Sequence, residues 1–145
     1  MGVFGKLFGT KQNDNTIENE KYIETIIESS DDEPLGISSS NVMYAGYNEL
    51  GGYYYLQTFI IGRLKIKTKD GAKLLIEGND YTLELNSDMP ELESDATSPL
   101  KGYATKIDFE IEKSAVEKLK KSTMKQVTLC IKKQKIVFNI HKTDI

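Results

Sequence analysis

Apolar and polar residues alternate strictly through the last third of the chain. Thr105, Ile107, Phe109 and Ile111 are interleaved with Lys106, Asp108, Glu110 and Glu112, and the alternation returns in Val127, Leu129, Ile131 and in Ile136, Phe138, Ile140. Side chains of a strand point to opposite faces in turn, so a period of two puts each apolar set on one face and the charges on the other. The pattern predicts antiparallel strands that cover a core on one side. Between them a short helix is expected. Ser114 and Glu117 have the spacing of a capping box, and Ala115, Val116 and Leu119 supply a narrow apolar stripe. Lys118, Lys120 and Lys121 stand in its last turn, where cations complement the helix dipole.

Upstream the chain is β-rich from Val42. Tyr53 to Lys67 reads as one long run in which Gly62 marks a bulge. Asp70-Gly71, between Leu64–Lys67 and Leu74–Ile76, has the residues of a tight hairpin turn. Gly78-Asn79 turns into Tyr81, Leu83 and Leu85, which would complete a three-stranded meander. Asn86 to Lys101 is an acidic, proline-containing loop, long enough to be either functional or unpacked. The fold class is therefore mainly β: a single antiparallel β-sandwich or curved-sheet domain of about seven strands. One short helix precedes the last hairpin.

Residues 1–41 read as a partly flexible N-terminal arm and linker ahead of a β-rich domain at 42–145. A short helix is expected at 15–28, where Asn15 and Glu18 suit a helix start and Ile17, Ile23, Ile26 and Ile27 form a loose stripe. Ser29 to Asn41 has linker composition. Met1 to Lys11 stands apart: Val3, Phe4, Leu7 and Phe8 fall at helical spacing beside Lys6 and Lys11. Such a face suits weak contact with a membrane interface, through Phe4, Leu7 and Phe8. Gly2, Gly5 and Gly9 oppose an autonomous helix there.

Charge sharpens this picture. Residues 1–100 carry a net charge of −9 and residues 101–145 a net of +6. The unspecialised reading is that opposite faces neutralise each other within one fold. Cys130 is the only cysteine, and no apolar run reaches the length of a signal core or a membrane span. Both features point to a cytoplasmic setting.

Catalytic chemistry has little material. Cys130 and His141 are the only candidates for a thiol–imidazole pair, and the expectation is a half-buried cysteine and a surface histidine. Ser122 and Lys125 match an S-x-x-K spacing without its companion motifs. Asp108, Glu110 and Glu112 share one strand face, expected to be solvated and paired to lysines such as Lys65 and Lys67. Asp88, Glu91, Glu93 and Asp95 lack the spacing of a calcium loop. No catalytic residue, metal site or cofactor is expected, and nucleic acid is not an expected partner.

Tyrosine is the feature above background. Tyr44, Tyr47, Tyr53, Tyr54 and Tyr55 crowd a twelve-residue stretch with Gly46, Gly51 and Gly52. Tyrosine supplies large, stiff contact area with a polar tip, which suits interfaces. The expected function is a non-catalytic protein-interaction module or oligomer subunit, binding a protein partner or itself through Tyr44, Tyr47 and Tyr54. The alternatives are a peripheral membrane protein held by residues 1–11, and an enzyme whose site residues are dispersed along the chain.

Overall fold

A computed structural model describes residues 17–98, 100–141 and 145. Helix α1 (17–28) comes first, followed by strands β1 (Gly36–Ile37), β2 (Asn41–Leu50) and β3 (Tyr53–Gly62). Strands β4 (Lys67–Thr68), β5 (Lys73–Gly78), β6 (Thr82–Asn86), β7 (Leu92–Glu93), β8 (Asp95–Thr97) and β9 (Gly102–Ile111) follow. Helix α2 (Lys113–Lys121) then leads into the closing hairpin of β10 (Met124–Ile131) and β11 (Gln134–Ile140). Asn15 and the Met1–Lys11 segment lie outside the described residues.

Nine strands form one antiparallel sheet in the order β6-β5-β10-β11-β1-β2-β3-β9-β8. The sheet curls until its first strand meets its eighth. Ser87, just past β6, bridges Phe109 of β9, and the Asp88 N–H donates to the Asp108 carbonyl at 2.8 Å. Of the two expected architectures, the curved sheet is the one adopted, and it is rolled into a barrel closed at this point. The alternation read from the sequence sets its lining. Ile107, Phe109, Ile111, Val127, Leu129, Ile131 and Phe138 are all buried in one core with Met43, Leu56, Ile60, Leu74 and Ile76.

Both ends of the barrel are plugged. At the base, where β2 begins and β3 ends, Leu64, Ile66, Ala72 and Leu92 fold inward and are stapled by the two-stranded β4–β7 sheet. At the top, α2 presses Val116 and Leu119 into the core. Outside the barrel, α1 packs Ile23 and Ile26 on Val42 and Tyr44 of β2, so this part of β2 is buried on both faces.

Several local expectations are corrected. Gly62 ends β3 rather than bulging it. The Asn41 side chain and the Ser40 backbone occupy the space a Cβ would need, and the Asn41 Oδ1 accepts the Leu64 N–H at 2.9 Å. Asp70-Gly71 does not close a hairpin with Leu64–Lys67. Gly71 has the expected positive φ of 73°, yet its N–H donates to the Pro90 carbonyl, and β5 pairs with β10 instead. Burying Leu64 and Ile66 at the base outweighs the local pairing. The meander is thus a single hairpin, β5–β6. The Ser29–Asn41 segment is not only a linker, because β1 within it joins β11 to β2. The Asn86–Lys101 loop contains β7 and β8. The Ser114–Glu117 capping box is not used: β9 runs straight into α2, Glu112 is the N-cap without a side-chain bond, and Ser114 falls inside the helix.

Phe109 is fully buried at the closure, whereas Phe59 on the outer face is 42% exposed. Phe109→Ala is expected to lower stability by about 3–5 kcal/mol, and Phe59→Ala by less than about 1 kcal/mol. Urea denaturation midpoints of the two variants against the parent check this.

Candidate functional site

The closure that makes the barrel also leaves it incomplete. The N–H of Ser87 donates to Ala72 in the direction of β5, and that of Asp88 to Asp108 across the closure. Backbone groups alternate sides along a strand. Thr82 and Glu84 of β6 therefore aim their N–H and C=O groups the same way as Asp88, toward β9. Above Phe109 nothing meets them among the described residues, because β9 gives way to α2 at Glu112 and the chain turns off over the top of the barrel.

The two elements diverge around a cleft of about 620 Å³. One wall is Leu83, Glu84, Leu85 and Asn86 of β6; the other is Glu110, Ile111, Glu112, Lys113 and Ala115; the tip of the β2–β3 hairpin closes the top with Gly52, Tyr53, Tyr54 and Tyr55. That hairpin turns on Gly51 and Gly52, with φ of 61° and 85°, a region that favours glycine. The turn carries Leu50 and Tyr53 outward as a pair, 68% and 71% exposed, at the rim of the cleft. The cleft floor is apolar, from Ile111, Leu85 and half-buried Leu83 and Tyr54, and its rim holds three carboxylates and one ammonium.

The tyrosines divide by strand face, as alternation requires. Tyr44 is buried beneath α1. Tyr47 points inward under α2, with the Lys120 ammonium 5.5 Å from its ring centre, and its hydroxyl is enclosed without a partner among the described residues. Tyr54 is half-buried and packs on the core. Of the three residues expected at an interaction surface, only Tyr54 lines the cleft. Tyr53 and Tyr55 line it beside Tyr54, and Leu50 stands next to Tyr53. Tyr55 faces the acidic side: its pKa is raised, by burial first and then by Asp88, Glu110, Tyr53 and Asp108.

Other sequence candidates are kept apart. Cys130 lies on the outer face opposite Lys135 and Lys73, near the base end of β10. His141 follows the far end of β11, with its Nε2 3.9 Å from the Glu33 carboxylate. Six residues of strand separate Lys135 from His141, roughly 20 Å, so no thiol–imidazole pair forms. Ser122 ends α2 in extended conformation while Lys125 is already in β10, so they share no helical turn. Asp108 and Glu110 face Gln57 and Tyr55 of β3, not Lys65 and Lys67. Lys67 lies 4.0 Å from Glu93 instead. No group of three potential metal ligands comes together among the described residues. No helix among them is long and apolar enough to cross a membrane.

No family model matches the chain, and neither curated proteins nor solved structures provide a match. The site is thus defined by its own geometry: an unpaired strand edge beside an acid-rimmed, tyrosine-walled cleft.

Burial, with Tyr81 alongside, pushes the Tyr47 hydroxyl up to about 12 from 10.0. A raised folded-state pKa means the unfolded chain releases this proton first, so the native state loses stability as pH rises above 10 toward 12. Tyr47→Phe is expected to leave stability near neutral pH almost unchanged, since it removes a hydroxyl with no partner, and to flatten the alkaline loss. Denaturation midpoints measured from neutral to alkaline pH on both proteins check this.

Proposed function

We propose that the chain is a non-catalytic protein-binding module whose cleft takes an extended segment of a partner protein. The observation that supports this reading is the free edge of β6 over Thr82 and Glu84, directly beside an apolar floor. An extended peptide laid along such an edge gains main-chain hydrogen bonds, and alternate side chains enter the groove beside it. Leu83, Ile111 and Tyr54 would receive one apolar anchor. Glu84, Glu110 and Glu112 favour lysine or arginine on either side of it. Leu50 and Tyr53 at the rim add a stiff apolar ledge over the bound segment. An exposed edge is otherwise a hazard for aggregation, and here its usable length is short and acidic, which discourages pairing with a second copy of itself.

Selection from a random peptide library against the whole protein tests the reading. Enriched peptides are expected to carry one large apolar residue flanked by basic ones. Charge reversal by Glu84→Lys with Glu112→Lys is expected to weaken them at least about 10-fold, as for loss of one charge-assisted contact. Lack of enrichment, or ligands indifferent to this double variant, would remove the cleft as the binding site.

A further inference from the structure

We infer that the cleft takes the N-terminal segment of a second copy of this chain, so that one copy supplies the strand another lacks. The inference rests on the reading of the cleft as a site for an extended segment, and it names the occupant. The edge of β6 asks for an extended backbone, the floor of Leu83, Leu85 and Ile111 for one apolar side chain, and the rim of Glu84, Glu110 and Glu112 for basic ones. Met1 to Lys11, outside the described residues, has the composition that meets these demands. It carries Lys6 and Lys11 and no acid, and Leu7 stands between Lys6 and Phe8. Gly5 and Gly9 lie two positions to either side of Leu7. Residues two apart share a face of a strand, so in this arrangement Leu7 enters the floor with a glycine on each side. Glycine in a strand occurs where another backbone approaches closely, as an added strand against β6 requires. The same glycines oppose a helix. Lys6 and Phe8 take the opposite face, toward the carboxylates and the ledge of Leu50 and Tyr53. A basic segment also escapes the like-charge repulsion that keeps two acidic β6 edges apart.

Reach decides between a chain's own segment and that of another copy. Helix α1 runs up the outside of β2 from the base. The Tyr22 hydroxyl sits where a side chain on Gly102 would stand, Ile26 packs with Val42 and Tyr44, and Asp32 and Glu33 lie farther up beside Gly46. Ile17 stands roughly 7.5 Å before Tyr22 along the helix axis. The cleft is at the other end of the barrel. Eight steps of β9 lead from Gly102 up to Glu110, roughly 27 Å. Strands β3 and β9 separate β2 from the cleft, which adds about 10 Å round the barrel. With Gly5 to Gly9 laid along β6, the chain from Gly9 to Ile17 is also eight steps long and spans at most about 29 Å. It does not cover the way. A second copy has no such limit, because its barrel can stand beside the cleft that its segment fills. The contact is head-to-tail, with a different surface on each partner, and it covers an edge that otherwise stays open.

Sedimentation equilibrium on full chains tests the inference by complementation. Glu84→Lys with Glu112→Lys spoils the cleft and keeps the segment; Leu7→Ser with Phe8→Ser spoils the segment and keeps the cleft. Glu84 and Glu112 are exposed, and urea midpoints equal to the parent's establish that both variants fold. Glu84→Gln with Glu112→Gln replaces the charge reversal should its midpoint fall. The parent is expected to self-associate, and each variant alone to do so at least about 10-fold more weakly, the loss for one charge-assisted contact or one buried leucine. An equimolar mixture of the two variants is expected to form a one-to-one complex at the parent's affinity, since the first lends its segment to the intact cleft of the second. A monomeric parent, or a mixture no more associated than its components, would overturn the inference. So would self-association of either variant as strong as the parent's. Library peptides that still bind the parent and are lost with Glu84→Lys and Glu112→Lys would then leave the cleft as a site for extended segments and remove only the second copy as its occupant. Without such peptides both readings fall together.

Discussion

The meeting of Ser87 with Phe109 is the constraint on which the rest depends. Twisted strands added side by side bring the two edges of a large sheet toward each other, and full closure would hide both. Here closure is achieved over one bridge and stops. Below it, β8 takes the place beside β9, and the β4–β7 pair fills the base. Above it, β9 becomes α2 within one residue of Ile111. The helix is needed to cover the top of the core with Val116 and Leu119, and by leaving the sheet it denies β6 a neighbour. The plug at the top and the open edge are thus one structural choice seen from two sides.

How much of this the chain reveals depends on whether the deciding contacts are local. The inward positions of β9, β10 and β11 were legible because apolar residues fall on the core face of each strand, with Ile107, Phe109, Val127, Leu129 and Phe138 fully covered, while most polar residues fall on the other. Alternation also separated Tyr54 from Tyr53 and Tyr55. It did not reveal which side was inside, since that follows from the pairing of β3 with β9. Val42, Met43 and Tyr44 are buried in succession because α1 covers the outer face of β2, and a run buried on both faces carries no period. Leu64 and Ile66 alternate like a strand yet form a plug, held by bonds to Asn41 and Ser94 that lie 23 and 28 residues away in sequence. The cleft escaped the sequence altogether. It is built from Leu83–Asn86, Glu110–Ala115 and Gly52–Tyr55, three short pieces that no spacing rule connects.

The two ends of the barrel differ. The top bears the cleft, with its apolar ledge, unpaired edge and rim of Glu84, Glu110 and Glu112, together with the lysines of α2; the base gathers Arg63, Lys65, Lys67, Lys132, Lys133 and Lys135 beside Asp70, Glu91 and Glu93. The charge asymmetry along the sequence does not become an axis of the molecule: of the lysines after residue 100, Lys113, Lys118, Lys120, Lys121 and Lys125 stand at the top and Lys132, Lys133 and Lys135 at the base.

The sheet closes at Ser87 and opens immediately above it, and contacts between α-protons across the seam read this directly. Opposed residues in a non-hydrogen-bonded antiparallel pair bring their Cα atoms to about 4.5 Å, close enough for a strong nuclear Overhauser effect between α-protons. This signal is expected between Ser87 and Phe109, and none between Leu85 and Ile111, the next pair of the same kind up the seam. A signal at Leu85–Ile111 would mean that the barrel is zipped to the top and has no edge to offer. Absence of the signal at Ser87–Phe109 would mean that the sheet does not close at all.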